Sequence, residues 1–266
     1  MRRLLHGVPA LLLVAALIGI WELYVDLGGV DSLILPAPHA VASSLYTDRS
    51  LLWSNFLVTA KEVLLGSLVA ALSGLLLAIA IHFSGTLRQV LYPLLVASQA
   101  VPVVLVAPLL VDWLGFGILP KLFVIALVSF FSVVVTTLAG LAAVDPDLLK
   151  LMRTFDASRG KTFKHVELPA ALPGVFTGAK IAVAVAVIGA VFAEQAGSNS
   201  GLGYLLLISP GQLLTARAFA AVVILCAFAI GLFSLLSLAE RIALPWAYQP
   251  RLALQWAPQP TGDTYQ

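Results

Sequence analysis

Charged residues are scarce in this chain: they make up 11% of its 266 residues, whereas 61% of the residues are hydrophobic. A soluble domain has about 25% charged and roughly 45–50% apolar residues. A water-soluble fold of this size could not bury so much apolar surface in one core. The composition therefore excludes an ordinary soluble enzyme, a disordered chain and a disulfide scaffold, and it indicates that lipid surrounds most of the protein.

The chain also has few cysteines and histidines and a small net charge. Cys226 is the single cysteine, so the chain can form neither an intramolecular disulfide nor a cysteine-based zinc site. A net charge of +2, with no basic stretch interleaved with aromatic residues, gives no reason to expect nucleic acid as a partner. No metal site is predicted, because the four histidines lie far apart in the sequence: His6, His39, His82 and His165.

Six apolar runs are long enough to cross a bilayer. A helix that crosses the ~30 Å hydrocarbon core needs about 20 mostly apolar residues. The runs are rich in Ala, Leu, Val and Gly, and a helix satisfies its own backbone in lipid, so helices are favoured over a barrel. We therefore predict an all-α integral membrane protein with six transmembrane helices. The predicted spans are residues 8–25, 56–81, 91–111, 122–144, 173–193 and 218–238.

Lysine and arginine are unevenly distributed between the segments that connect these spans, and this bias predicts the orientation. With the N-terminus in the cytoplasm, the inner basic residues are Arg2, Arg3, Arg88, Lys150, Arg153, Arg159, Lys161, Lys164, Arg241 and Arg251. The outer basic residues are Arg49, Lys61, Lys121 and Arg217. We therefore expect both termini in the cytoplasm, with one transmembrane domain over residues 1–246 and a cytoplasmic tail over residues 247–266.

The most polar inner connection follows the fourth predicted span and covers residues 145–168. Its apolar residues recur at helical spacing, which predicts a short amphipathic helix on the cytoplasmic face. Asp145 can cap this helix, and Pro146 is tolerated at its first position. We expect Arg159-Gly160-Lys161 to break it and a second short turn or helix to follow. Such a helix could anchor the loop at the membrane surface or could dock a cytoplasmic partner, and composition does not decide between these roles.

The same loop resembles the cytoplasmic loop of permease subunits of bacterial ATP-binding cassette (ABC) importers. That loop has the form E-A-A, then Gly, then I-x-L-P. Val166 and Leu168-Pro169 match its end, whereas Lys150-Leu151-Met152 stand at the E-A-A positions and Asp156 stands at the Gly position. The family Gly is expected to permit unusual backbone angles, which Asp tolerates better than most residues. The loop shape is therefore expected to survive this departure.

Other motifs resemble the nitrate, sulfonate and taurine branch of these permeases. They are LPAP at residues 35–38, LPAALP at 168–173 and GLGY at 201–204. Within the branch, three stretches look closest to permeases for thiamine-precursor pyrimidines: ASQAVP at 97–102, LPK at 119–121 and VIGAV at 187–191. The resemblance covers most of residues 33–246. Permeases for sulfonates, nitrate or riboflavin differ from these by little, so the substrate subgroup stays open.

The resemblance implies a division of labour in the bacterial inner membrane. Two copies of the permease form the pore, a dimer of cytoplasmic ATPase subunits binds the loops, and an extracytoplasmic binding protein delivers the substrate. This chain has no G-x-x-x-x-G-K-[ST] phosphate loop, so we expect ATP and Mg²⁺ on the ATPase, no cofactor on this chain and no enzyme activity of its own. The expected docking residues are Leu148, Leu149, Lys150, Met152, Arg153, Phe155, Asp156, Ala157, Ser158 and Arg159.

Polar side chains inside the predicted spans are candidates for the translocation path, because polar and charged groups are costly in a bilayer and often functional. Pro102 and Pro108 should bend the third span. Lys180 could line the pore and attract an anionic or carbonyl-bearing solute, or it could pair with a neighbouring carboxylate. Glu194 and Gln195 could form an outer gate or merely mark the interface. The candidates are Ser98, Gln99, Lys180, Glu194 and Gln195.

The predicted function is that of the membrane-spanning permease of an ATP-driven importer for a small polar solute, with a thiamine-precursor pyrimidine as the best guess. A stand-alone secondary transporter is an alternative from a different class. It would need coupling-ion sites, for which few acidic residues are available within the spans, and the inverted repeats common in such proteins are not obvious. An integral membrane enzyme is disfavoured by the scattered histidines and the lack of paired aspartates.

Overall fold

The computed structural model describes residues 8–247, and helices joined by short connections make up this part of the chain. Because no strand occurs in it, the predicted all-α fold class is confirmed for residues 8–247. The helices are α1 Val8–Gly28, α2 Pro38–Thr47, α3 Arg49–Phe83, α4 Gly85–Ser98, α5 Val103–Leu114, α6 Ile118–Ala142, α7 Pro146–Thr154, α8 Arg159–Thr162, α9 Leu168–Gly197, α10 Leu202–Ile208 and α11 Thr215–Ala243. The predicted tail at residues 247–266 lies almost wholly outside the described residues.

Four helices in the described part are long and apolar enough to cross a membrane: α3, α6, α11 and a 39-residue helix, Arg159–Gly197, that joins α8 to α9. At 1.5 Å per residue, even α6 extends about 38 Å, which exceeds the ~30 Å hydrocarbon core. A fifth crossing results if α4 and α5 are counted as one bent span. The chain is therefore a multi-pass membrane protein. The count of six spans stays a prediction, in which the 21-residue α1 is the remaining span.

The predicted third span, residues 91–111, was expected to bend, and in the structure it consists of two helices. α4 ends at Ser98, α5 begins at Val103, and the two helices meet at a bend of 99°. Pro102 stands at this break because proline lacks a backbone donor and disfavours the helical conformation in the residue before it. Pro108, which was also expected to bend the span, lies inside α5. The proline signal was therefore correct, but one proline ends the helix and the other is accommodated.

Three long helices form the centre of the fold, because α6 packs against both α3 and α9. Small residues let these backbones approach closely. A Cβ atom on Gly178 of α9 would lie 2.9 Å from Val133 Cα and 3.0 Å from Ser132 O of α6. These separations are shorter than normal van der Waals contacts. The position therefore requires glycine for close helix packing.

A buried ion pair joins α3 to α6. Lys121 Nζ donates a hydrogen bond to Glu62 Oε1 at 2.6 Å and another to Ser198 Oγ at 2.8 Å. Both charged side chains are less than a tenth exposed. Lys121, which was counted among the outer basic residues, is thus paired inside the helix bundle. The orientation of the chain stays a prediction.

Replacing Gly178 with alanine should destabilise the protein, because the added Cβ has no room between α9 and α6. Overpacking of this kind costs about 1–3 kcal/mol. The matched control is Gly231→Ala in α11, where no atom lies within 4 Å of the added Cβ. Thermal unfolding of the purified protein in detergent should show a lower Tm for Gly178→Ala and an unchanged or higher Tm for Gly231→Ala. Equal Tm values would contradict the tight helix contact.

Lys121→Met should also lower the Tm, because it leaves the Glu62 carboxylate buried without its cation. Breaking one side of a buried ion pair typically costs about 3–5 kcal/mol. Lys61→Met is the matched control, since Lys61 is exposed and adjacent to Glu62 in sequence. The double variant Glu62→Gln with Lys121→Met should recover part of the loss. If the two single lysine variants unfold at the same temperature, the pair does not contribute as described.

Candidate functional site

A cavity of about 250 Å³ lies beside the break between α4 and α5. Ser98 and Gln99, two of the predicted path candidates, both line it. The remaining lining residues come from the connection after α4 and from α5, α6 and α9, and all of them are apolar: Val101, Val103, Leu127, Val128, Val185, Ile188 and Gly189. The break in the third span therefore places two polar side chains on an otherwise apolar wall.

Ser98 and Gln99 differ in how far their hydrogen-bonding groups are already used. Ser98 Oγ donates to Leu95 O at 2.7 Å, and Gln99 Nε2 makes a long contact of 3.4 Å with Ser98 Oγ. Gln99 is exposed, and an amide side chain carries one acceptor oxygen and two donor hydrogens. The wall can therefore bind the polar edge of a solute through Gln99, while the aliphatic side chains of the wall cover the apolar faces of the solute.

Lys180 lies on α9 but does not line this cavity. Its Nζ donates to Glu240 Oε2 of α11 at 2.7 Å and lies 5.9 Å from the centre of the Phe233 ring. The Glu240 side chain is 6% exposed. Of the two roles that the sequence left open for Lys180, pairing with a carboxylate is the one seen in the structure. A paired lysine attracts an anionic solute much less than a free one.

Glu194 is buried near the C-terminal end of α9, where it binds the segment that follows that helix. Its Oε1 accepts a hydrogen bond from Thr59 Oγ1 of α3 at 2.6 Å, and its Oε2 accepts one from the backbone N–H of Gly203. Thr59 Oγ1 in turn accepts from the N–H of Leu202 at 2.9 Å. Glu194 thus ties α10 to α3 and α9. Its neighbour Gln195 is half-buried, and neither residue lines the cavity at Ser98.

The GLGY motif at residues 201–204 has a packing explanation. Gly201 has a φ of 110°, which residues with a Cβ atom rarely adopt, and its N–H donates to Asn55 Oδ1 at 2.7 Å. A Cβ on Gly203 would lie 2.8 Å from Val191 Cα. Both glycines are therefore needed where α10 approaches α3 and α9. Asn55 and Thr59 were not singled out in the sequence, because 146 and 143 residues separate them from the backbone groups they bind.

The short amphipathic helix predicted after the fourth span is α7. Asp145 caps it, since its Oδ1 accepts from the N–H of Asp147 at 2.9 Å. The expectation that Arg159-Gly160-Lys161 breaks this helix was wrong: α7 already ends at Thr154, and Arg159 begins α8. Arg159 begins a helix because Ser158 caps α8: Ser158 Oγ accepts a hydrogen bond from the N–H of Lys161.

Asp156 supplies the turn between α7 and α8. Its φ is 52°, in the left-handed region that favours glycine, and aspartate adopts this region more readily than most residues. Asp156 therefore has the backbone shape that was expected at the family Gly position.

The predicted docking residues fall into two groups around this turn. Leu149, Met152 and Ala157 are half-buried, and the exposed members are Leu148, Lys150, Arg153, Phe155, Asp156, Ser158 and Arg159. The Phe155 side chain is 74% exposed, which is unusual for an aromatic residue outside a lipid-facing helix. Among the charged members, Lys150 is paired with Asp147 at 2.8 Å. An exposed apolar group therefore marks the surface of α7.

A cluster that the sequence did not reveal joins the end of α3 to this loop. His82 Nε2 lies 2.9 Å from Glu167 Oε2, and both side chains are largely buried. The guanidinium of Arg159 lies 4.9 Å from the centre of the Phe83 ring and 3.5 Å from His82 O. Glu167 belongs to a π-helical turn, Phe163–Glu167, that links α8 to α9. The loop is thus attached to α3 as well as to α9.

Polar pairs also join elements at the other end of α3. Arg217 of α11 makes two hydrogen bonds with the Asp48 carboxylate, at 2.8 and 3.1 Å, and this guanidinium lowers the pKa of Asp48. His39 pairs with Glu22 of α1, whose carboxylate raises the pKa of the imidazole. Glu22, Asp26 and His39 bring possible ligand atoms within 4.8 Å of one another, a grouping that histidine spacing alone did not predict.

Known proteins of similar sequence fit this architecture. The family described as "Binding-protein-dependent transport system inner membrane component" matches residues 65–243. The chain is 40% identical over 223 residues to a probable ABC transporter permease protein of Haemophilus influenzae, covering 84% of this chain and 91% of that protein. It is 32% identical to the formylaminopyrimidine transport permease protein ThiX of Halalkalibacterium halodurans, covering 92% and 98% of the two chains. Permeases named for riboflavin and aliphatic sulfonates show similar identity.

A solved structure supports the fold. The crystal structure of an amino acid ABC transporter with histidines superposes with a TM-score of 0.60 at 21% identity, covering 75% of this chain and 97% of the other. At this identity, the likeness bears on the fold alone.

The family match over most of the helical part assigns the chain to a family. The chain belongs to the family of binding-protein-dependent transport system inner membrane components, in the branch of ABC permeases that includes those for sulfonates, taurine and thiamine precursors.

Proposed function

We propose that this chain is the membrane-spanning permease of an ATP-driven importer and that the cavity at Ser98 and Gln99 belongs to its translocation path. The observation that carries the proposal is the broken third span. Non-helical backbone at membrane depth is tolerated where it is buried in protein or lines a water-filled cavity. Here the break adjoins a cavity with polar side chains in an apolar surround.

In the proposed assembly, two copies of the chain form the pore and a pair of ATPase subunits binds them from the cytoplasm. An extracytoplasmic binding protein supplies the solute. ATP and Mg²⁺ bind to the ATPase subunits, and this chain itself holds no cofactor. The six proposed spans put both termini on the same side of the membrane, and the Lys/Arg bias makes that side the cytoplasm. These spans are α1, α3, the bent pair α4 and α5, α6, α9 and α11.

The proposed docking surface for the ATPase is α7 with the turn that follows it. The sequence led us to expect Leu149, Met152 and Phe155 to fill an apolar groove on that subunit, but Leu149 and Met152 are half-buried. The exposed apolar side chains that could fill the groove are those of Leu148, Leu151 and Phe155. Lys150, Arg153 and Arg159 would set its orientation through acidic partners. Apolar residues exposed to water in one patch commonly mark a protein interface. The patch lies on the most polar connection of the chain, next to the charged residues that would face the ATPase.

A continuous helix supports coupling between this docking surface and the cavity. The helix Arg159–Gly197 begins at the loop and runs without a break past Val185, which lines the cavity. ATP-driven closure of the two ATPase subunits would move α7 and α8, and a rigid helix would carry that motion to the cavity wall. The His82–Glu167 pair would pass part of it to α3.

Phe155→Asp should uncouple transport from ATP hydrolysis, because it places a charge in the proposed apolar contact. Phe155→Leu is the matched control, since it keeps an apolar side chain at the same exposed position. In proteoliposomes that contain the permease, its ATPase and its binding protein, we expect at least a tenfold loss of transport for Phe155→Asp and near-normal transport for Phe155→Leu. Unchanged transport by Phe155→Asp at equal expression would contradict the docking role.

The proposed solute is a thiamine-precursor pyrimidine. The relative named for formylaminopyrimidine transport and the stretch at residues 97–102, which includes Gln99, favour this choice. Sulfonates or taurine, nitrate and riboflavin are alternatives within the same architecture. A stand-alone secondary transporter receives no support from the family.

Uptake of labelled hydroxymethylpyrimidine should occur in cells that express this chain with its ATPase and binding protein. It should be lost when the ATPase cannot hydrolyse ATP. If no uptake occurs although all three proteins assemble, the pyrimidine is wrong and the other solutes are tested. Uptake that persists with the inactive ATPase would overturn the importer and favour a secondary transporter.

A further inference from the structure

We infer that the cavity at the break between α4 and α5 binds an uncharged, flat heteroaromatic solute through the Gln99 amide and discriminates against anions. The inference rests on the proposed function, because it takes this cavity as part of the path. It adds the residue that binds the solute and the exclusion of anions at this cavity. The class of solute follows from the size of the cavity, from the charges around it and from the hydrogen-bonding groups on its wall.

The size of the cavity favours a small solute. Pockets for drug-sized ligands usually have about 300–1,000 Å³. The cavity here has about 250 Å³, and most of its wall consists of aliphatic side chains. Such a wall packs well against the faces of a single aromatic ring. The volume therefore favours a single-ring solute over a larger multi-ring one.

The charges around the cavity disfavour an anion. The residues that line it carry no charged side chain. Lys121, which is buried, and Lys180, which is half-buried, are already neutralised, since Lys121 is paired with Glu62 and Lys180 with Glu240. An anion moved from water into an apolar site without a cation pays a large desolvation cost. Sulfonate or nitrate would meet that cost here, whereas an uncharged ring would not.

The wall is also unsuited to a purely apolar occupant such as a lipid chain. Gln99 presents its carbonyl oxygen and an amide N–H side by side, and leaving such groups without partners costs free energy. The same pair of groups lets asparagine or glutamine bind the adenine edge in two places. An aminopyrimidine has this edge as well, with an amino donor next to a ring-nitrogen acceptor. Gln99 is therefore complementary to an aminopyrimidine.

The chain is well suited to a thiol-protection test, because Cys226 is its single cysteine. In a Cys226→Ala background, Ser98→Cys places a thiol on the cavity wall. The full-length protein in lipid nanodiscs is treated with a small water-soluble methanethiosulfonate, and the labelling rate is measured with and without hydroxymethylpyrimidine, taurine or nitrate. Ser50→Cys, at an exposed position in the first turn of α3, is the control thiol.

Hydroxymethylpyrimidine should slow labelling of Ser98→Cys at least fivefold and leave Ser50→Cys unaffected, whereas taurine and nitrate should protect neither thiol. Adding Gln99→Leu should abolish the protection, while labelling without solute continues. Protection by taurine or nitrate would overturn the discrimination against anions. Failure of the pyrimidine to protect at saturating concentration, or failure of the reagent to reach Ser98→Cys, would overturn the binding site.

The test separates this inference from the proposed function, because protection requires neither ATP nor a partner protein. ATP-dependent uptake without protection would leave the importer intact and assign solute selection elsewhere. Protection without ATP-dependent uptake would leave the binding site intact and refute the importer.

Discussion

The buried polar contacts between α3, α6, α9 and α10 are the constraint on which the rest of the structure depends. Lipid supplies no hydrogen bonds, so a polar or charged group buried between these helices must find its partner inside the protein. Glu62 meets Lys121, and Glu194 meets Thr59 and the backbone of α10. Apolar packing alone would let the helices slide or rotate against one another. The polar contacts specify one arrangement, and glycines such as Gly178 allow the backbones to come close enough for it.

This rigid centre contrasts with the break between α4 and α5. The helices around the break keep their own hydrogen bonds, but residues 99–102 leave the helical path and a cavity adjoins them. One wall of the cavity belongs to the same continuous helix that begins at the cytoplasmic loop. A displacement at the loop can therefore reach the cavity without unfolding any element. In the proposed mechanism, this helix connects the docking surface to the wall of the solute cavity.

Several features could be predicted from local sequence. Apolar runs of about 20 residues indicate membrane helices, because the thickness of the bilayer sets their length. Pro102 marked the break, and Asp156 was expected to adopt glycine-like backbone angles, since both effects arise within one or two residues. One local prediction failed: Arg159-Gly160-Lys161 does not break the short loop helix but begins the next one, because Ser158 caps it. The bend expected in the third span is present, in the form of a break between two helices.

By itself, the sequence determined that the protein lies in a membrane, that it is helical and that the loop contains a short helix. The reason is that composition and periodicity depend on whether a segment faces lipid or water. The tertiary structure alone decided which polar residues are free to act. Lys180 and Glu194 looked similar to Gln99 in the sequence, yet the first two are bonded to partners 60 and 135 residues away, whereas Gln99 faces a cavity. The physical reason is that a polar group in a membrane is functional or structural according to its partner, and that partner is brought to it only when distant helices pack together.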